Sequence, residues 1–167
     1  FLTGEGNYTD DINVNGQAYV YFLRSDVAHG TLNGVDTSAA DGMPGVVRIF
    51  TGADFEAVGS IPCGWQVTDK HGEVMQEPRH PVLAHGKVRH VGEPIAAVVA
   101  ETLEQARDAA EAIVLYISEL PAVINMKDAV KAGAPKVHDD LTSNLCYDWG
   151  FVEENKGAVD QAFKDAA

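Results

Sequence analysis

Apolar residues recur along this chain with two different periods. Over residues 17–23, Tyr19, Tyr21 and Leu23 fall on one side of an extended chain, and Ala18, Val20 and Phe22 on the other. Neither side is polar, which predicts a strand buried on both faces. Residues 31–36 alternate apolar and polar, the pattern of a half-buried strand. Residues 37–43 read as a short helix capped by Asp36 or Thr37 and stopped by Pro44-Gly45. A β-rich run follows over residues 46–50. Residues 95–100 are apolar at every position and form the clearest central strand. Next comes a helix whose apolar stripe is Leu103, Ala106, Ala109, Ala110 and Ile113. Thr102 and Gln105 stand three apart at its start, the spacing of a capping box. Residues 114–117 read as a strand, 122–124 as a short apolar run, and 126–132 as a short helix with Gly133 as its C-terminal residue. Residues 159–166 are a final helix candidate, too short to bury much without a partner.

Between these elements lie two aperiodic stretches. One runs from Thr51 to about His85. Without regular structure it is too long for a simple connection, so it is functional or holds elements that periodicity does not reveal. The other covers residues 135–155. Strands and helices are mixed without regular βαβ alternation, which predicts the α+β class. The organisation expected is one domain over 1–134 and an irregular arm with a short helix over 135–167.

A chain of 167 residues suits one domain with an arm. At this size folding buries roughly 70% of the extended surface. The net charge of −13 changes the picture more than the size does. It repels phosphate backbones and anionic membranes, which excludes nucleic-acid binding. The longest apolar run, Pro94 to Ala100, is strand-sized and far from a membrane span. The first residues lack a signal-peptide pattern, and the absence of an initiator Met is expected of a cut or excised chain. Cys63 and Cys146 are unclustered, which reads as reduced thiols in a cytoplasmic protein, with a single disulfide as the alternative.

The candidate chemistry is sparse. His80, His85 and His90 stand five apart, a spacing that aligns three imidazoles on neither a helix nor a strand face. Those three, with His29, His71 and His138, read as surface or structural histidines. Cys63 with His80 or His85 as base defines a hydrolase reading, but no basic cluster or helix N-terminus activates the thiol. Adjacent carboxylates at Asp10-Asp11 and Asp139-Asp140 point to opposite sides of an extended chain and make no acid/base pair. Val91-Gly92-Glu93-Pro94 is a turn, and the chain has no glycine-rich phosphate loop. Trp65 sits in Ile61-Pro62-Cys63-Gly64-Trp65, either packing that loop down or presented to a ligand or partner.

Several segments carry a family resemblance in order. They are Phe1-Leu2-Thr3-Gly4, Gly6, Tyr8-Thr9-Asp10-Asp11-Ile12, then Phe22-Leu23-Arg24-Ser25 with Ala28-His29. Val35-Asp36-Thr37-Ser38-Ala39-Ala40, Met43-Pro44-Gly45-Val46-Val47 and Thr51-Gly52 with Asp54 follow. The strongest runs from Lys87 to Ala112, and Tyr116, Glu119-Leu120-Pro121-Ala122-Val123 and Asp128-Ala129 complete it. In this the chain resembles the first domain of the molybdenum-binding large subunit of the xanthine dehydrogenase, aldehyde oxidoreductase and aerobic carbon monoxide dehydrogenase family. The loop around Cys63 and the run from His80 to Ala84 are similar to the bacterial branch labelled carbon monoxide dehydrogenase-like.

The resemblance implies an α/β-hammerhead with a mixed sheet and a few packed helices. It implies a scaffold domain of an oxidoreductase that hydroxylates aldehydes or heterocycles, or oxidises carbon monoxide, with oxygen taken from water. A molybdopterin-type cofactor in the parent subunit is implied, with iron–sulfur centres and FAD in partner subunits or domains. The remaining molybdenum-binding domains of the same subunit would be its neighbours. The family's pterin-contacting glycines and catalytic Glu lie further along such a subunit, so no residue here is expected to be catalytic, to bind cofactor or to hold metal. Cys63 and Trp65 are candidates for the substrate funnel. The alternative function is a non-enzymatic interaction module that reuses the hammerhead.

Overall fold

The computed structural model describes residues 2–150 and 156–166. Phe1 of the opening segment, and 151–155 and 167 of the expected arm, lie outside the described residues. Contacts divide the chain into two compact units, one of 1–60 with 81–122 and another of 61–80 with 123–167.

The first unit holds two three-stranded sheets. Strands β1 (Tyr19–Arg24), β5 (Pro94–Ala100) and β3 (Val46–Thr51) form one, with β5 central. Strands β4 (Lys87–Val88), β2 (Gly30–Asp36) and β6 (Val114–Glu119) form the other, with β2 central. The chain passes from one sheet to the other between β1 and β2, and returns before β3. It crosses back between β4 and β5. Helix α1 (Leu103–Glu111) then carries it from β5 to β6 in the other sheet. This crossing is why the mixed sheet expected is not found. A helix that returned to its own sheet would give parallel neighbours, whereas every strand pairing described is antiparallel. The α+β class stands.

Strand β5 is the hub of the core. Ala96, Val98 and Ala100 pack against Ala106, Ala109 and Ala110 of α1, with Ile113 and Ala40 closing the cluster. Alanine on both sides lets helix and sheet approach closely. A second cluster joins Ile95 to Leu32, Ala84 and Val88. The capping box forms as its spacing predicts. Gln105 donates its backbone N–H to Thr102 Oγ1 at 3.2 Å, and Thr102 N–H donates to Gln105 Oε1 at 3.0 Å. The apolar stripe is narrower than its pattern, since Leu103 is exposed.

Three further expectations are corrected. Strand β1 is not buried on both faces: Tyr19, Tyr21 and Leu23 are half-buried, but Val20 and Phe22 are exposed. It lies at a sheet edge, and α1 covers one face of the sheet only. Residues 37–43 form linked turns, not a helix. Asp36 does accept the Ser38 N–H as a cap would, but Thr37 Oγ1 bonds Asp41, and Gly42 with Pro44 prevent continuation. The short helix after Asn125, α2, spans Met126–Ala129 and ends before Gly133.

The turn at Gly92 is as expected. Its φ is 87°, a value open to glycine at little cost. There the chain is pinned to the β1–β2 connection by Gly92 N–H to Ser25 O at 2.7 Å and Ser25 N–H to Glu93 O at 2.9 Å. Glu93 is buried and its carboxylate accepts the Arg89 N–H. Buried His29 bonds the Pro121 carbonyl through Nδ1 at 2.8 Å, a structural role.

Candidate functional site

The residues singled out by the sequence, Cys63 and Trp65, lie in the second unit. The aperiodic stretch around them is a closed loop. Ile61 N–H donates to His80 O at 2.8 Å, and Met75 N–H to Val67 O at 3.0 Å, drawing the two limbs together. Thr68 and Val74 form an antiparallel bridge near the tip. The tip is turned by Asp69, whose Oδ1 accepts the N–H groups of His71 at 2.7 Å and Glu73 at 3.0 Å.

A third segment lies alongside. Gln76 N–H donates to Cys146 O at 3.0 Å, and Lys70 N–H to Asp148 O at 2.9 Å. The Lys70 ammonium also meets the Asp148 carboxylate at 2.6 Å. The loop is therefore ordered by a segment some 70 residues later, a contact that no periodicity within 51–85 could reveal.

Cys63 is exposed and forms no disulfide. Its N–H donates to Glu77 Oε1 at 2.8 Å, and Gln66 Nε2 donates to Glu77 Oε2 at 2.6 Å. These two bonds, the Cys63 N–H foremost, hold the Glu77 carboxyl below the usual glutamate range. Glu77 thus clamps the Cys63–Gln66 turn, a role the sequence did not disclose. The Cys63 thiol points to the Trp65 carbonyl at 3.2 Å, not to a histidine. That hydrogen bond activates no nucleophile, so the geometry lends nothing to the hydrolase reading.

Trp65 is 81% exposed. Of its two readings, packing the loop down is not the one described here: the loop is held by backbone bonds and Glu77, and the indole is left free. Tyr147 and Trp149, on the adjoining segment, are exposed too. Among the described residues no three His, Cys, Asp or Glu side chains gather to hold a metal ion. No described helix is long and apolar enough to cross a membrane.

Residues 3–121 match the family model described as aldehyde oxidase and xanthine dehydrogenase, a/b hammerhead domain. Along 99% of its length the chain is similar to the nicotine 6-hydroxylase large subunit of Paenarthrobacter nicotinovorans, at 36% identity, covering 19% of that protein. It is 33% identical to the carbon monoxide dehydrogenase large chain of Hydrogenophaga pseudoflava, over 99% of this chain and 21% of the other. Among solved structures it is similar to quinoline 2-oxidoreductase from Pseudomonas putida 86. There the TM-score is 0.75 and the identity 36%, over 87% of this chain and 18% of that one. The chain thus spans about a fifth of the length of the curated relatives it matches.

Proposed function

The chain belongs to the a/b hammerhead domain family of aldehyde oxidase and xanthine dehydrogenase, and on that premise we propose that it is the scaffold domain of a molybdenum hydroxylase large subunit. The members of this family are molybdenum-dependent oxidoreductases. The observations that carry the reading are the match of residues 3–121 to the hammerhead domain model and the match of nearly all of this chain to about a fifth of much longer relatives. In the whole enzyme the reaction would be hydroxylation of an aldehyde or heterocycle, or oxidation of carbon monoxide, with water as the oxygen source. Electrons would pass through iron–sulfur centres to FAD in partner subunits or domains. We place the protein in the cytoplasm, a reading supported by two unclustered cysteines that form no disulfide with each other.

We infer that the molybdenum cofactor is held elsewhere in the subunit and not by the residues described here. They carry no glycine-rich phosphate loop, and the described side chains offer no metal-binding cluster. No step of the reaction is assigned to them. Their contribution is architectural. Residues 1–134 would form the hammerhead, and 135–167 the arm leading to the molybdenum-binding region. Cys63 and Trp65 would border the path by which substrate reaches the metal. Support comes from the clamped turn at Glu77 and the exposed indole, a defined surface with no packing task of its own.

The gene is the test. A reading frame that continues well past Ala167 through glycine-rich loops agrees with this function. A stop codon directly after it would transfer the chain to the non-enzymatic interaction module.

A further inference from the structure

Helix α1 covers one face of the β1-β5-β3 sheet. The register sets two rows of side chains on the other. Phe22, Ala97 and Phe50 form one row, and Val20, Val99 and Arg48 the next. These rows are mostly apolar, yet Val20 is 48% exposed and Phe22 43%. A strand apolar on both sides but buried on one marks a surface that another element covers. The charge at its margins is distinctive. In a chain of net charge −13, two guanidiniums flank the patch. Arg24 lies over the Phe22 ring at 5.7 Å and donates one bond to the Gly92 carbonyl at 2.8 Å. Arg48 lies over the Phe50 ring at 5.3 Å with the Asp54 carboxylate 3.9 Å away, so each keeps further N–H donors for a carboxylate.

Resting on the function proposed above, we propose that this sheet face docks a segment of the same large-subunit polypeptide from outside residues 1–167, apolar at its centre and acidic at its margins. Its apolar side chains cover Val20 and Phe22, and its carboxylates meet Arg24 and Arg48. Three observations select this occupant. The relatives are about five times as long as this chain, so most of such a subunit lies elsewhere in its sequence. A covalently tethered segment binds at high effective concentration, so a patch of modest size suffices. A second copy of this chain fits poorly, because it brings −13 against −13 and one basic margin against another.

Hydroxyl-radical footprinting of Phe22 tests this, in the 167-residue chain and in the full-length large subunit without its partner subunits. Phe22 is expected to react readily in the chain and to fall in the subunit to the level of buried Leu83. Equal reactivity in both overturns the proposal. So does protection that grows with concentration of the chain alone, which indicates a second copy. Protection that appears only when the iron–sulfur and flavin subunits are added assigns the face to them and overturns it as well. Phe22→Asp is expected to leave the chain folded but to lower the melting temperature of the full-length subunit. If it unfolds the chain, the wild-type footprint still decides. Molybdenum analysis of the same subunit separates the two readings. Metal present with Phe22 reactive sinks the docking alone, and metal absent with Phe22 protected sinks the enzyme reading alone.

Discussion

A methyl group added at Gly52 would lie 2.3 Å from the carbonyl oxygen of Ala84, a backbone atom that no side-chain rotation can move aside. Gly52 is buried where β3 ends against the approach to β4, so the glycine is there for close passage of two chain segments. Gly52→Ala is expected to destabilise the chain by about 1–3 kcal/mol, the usual cost of overpacking. An unchanged urea midpoint would show that the two segments part more easily than the contact implies. Trp65 is the opposite case, a large side chain with little packed against it. Trp65→Ala should leave the melting temperature of the isolated chain nearly unchanged, because little apolar area is lost from a packed environment. In the full-length enzyme it is expected to alter the ratio of kcat/KM between aldehydes, heterocycles and carbon monoxide while metal content stays intact. A uniform fall across substrates, or a loss of metal, would assign Trp65 to structure.

Among the elements, β5 carries the core. Val98 is fully buried, and a carboxylate there has no partner within the alanine-lined contact with α1. Val98→Asp is expected to prevent folding, since burying such a group costs several kcal/mol against a total stability of similar size. Soluble Val98→Asp protein with a cooperative unfolding transition would move β5 to the surface. The loop of residues 61–80 is held more lightly, and by an ionisable group. Glu77 has a lowered pKa in the folded chain, with the Cys63 N–H bond as the main cause. Its contribution is therefore present above the ordinary glutamate pKa of about 4.3, and is lost as pH falls through the lower folded value. Protection of the Cys63 amide from hydrogen exchange, corrected for intrinsic rate, should decline in that acid window. Glu77→Gln should remove this dependence, because a neutral amide does not titrate there. The same acid decline in both proteins would release Glu77 from the role of clamp. Elements set by neighbours in sequence were legible: Thr102 and Gln105 need only a spacing of three, and residues 95–100 are apolar throughout. The two-residue strand Lys87–Val88 exists only because β2 lies beside it. The loop around Cys63 is ordered by Cys146 and Asp148, and Glu77 gave no sign because its two donors are brought to it by that closure. Val20 and Phe22 misled in an instructive way, since an apolar pattern records what a strand is suited to bury, not what this chain buries by itself.

For the whole molecule, the two levels of reading converge. The fold class followed from the order of elements, and the family from ordered matches concentrated between Lys87 and Ala112, the stretch that contains the central strand and its capped helix. The candidate site was less accessible. Its residues, Cys63 and Trp65, stand in one loop, but the role proposed for them rests on the remainder of a subunit like that of the much longer relatives. The central claim is that this chain is scaffold and that the redox chemistry belongs to the remainder of a molybdenum enzyme. Elemental analysis measures it directly, applied side by side to the purified 167-residue chain and to the full-length polypeptide that bears it, isolated from its own cells. The account predicts stoichiometric molybdenum in the full-length protein and none in the chain. Molybdenum retained by the chain, or absent from a folded full-length protein, would contradict it.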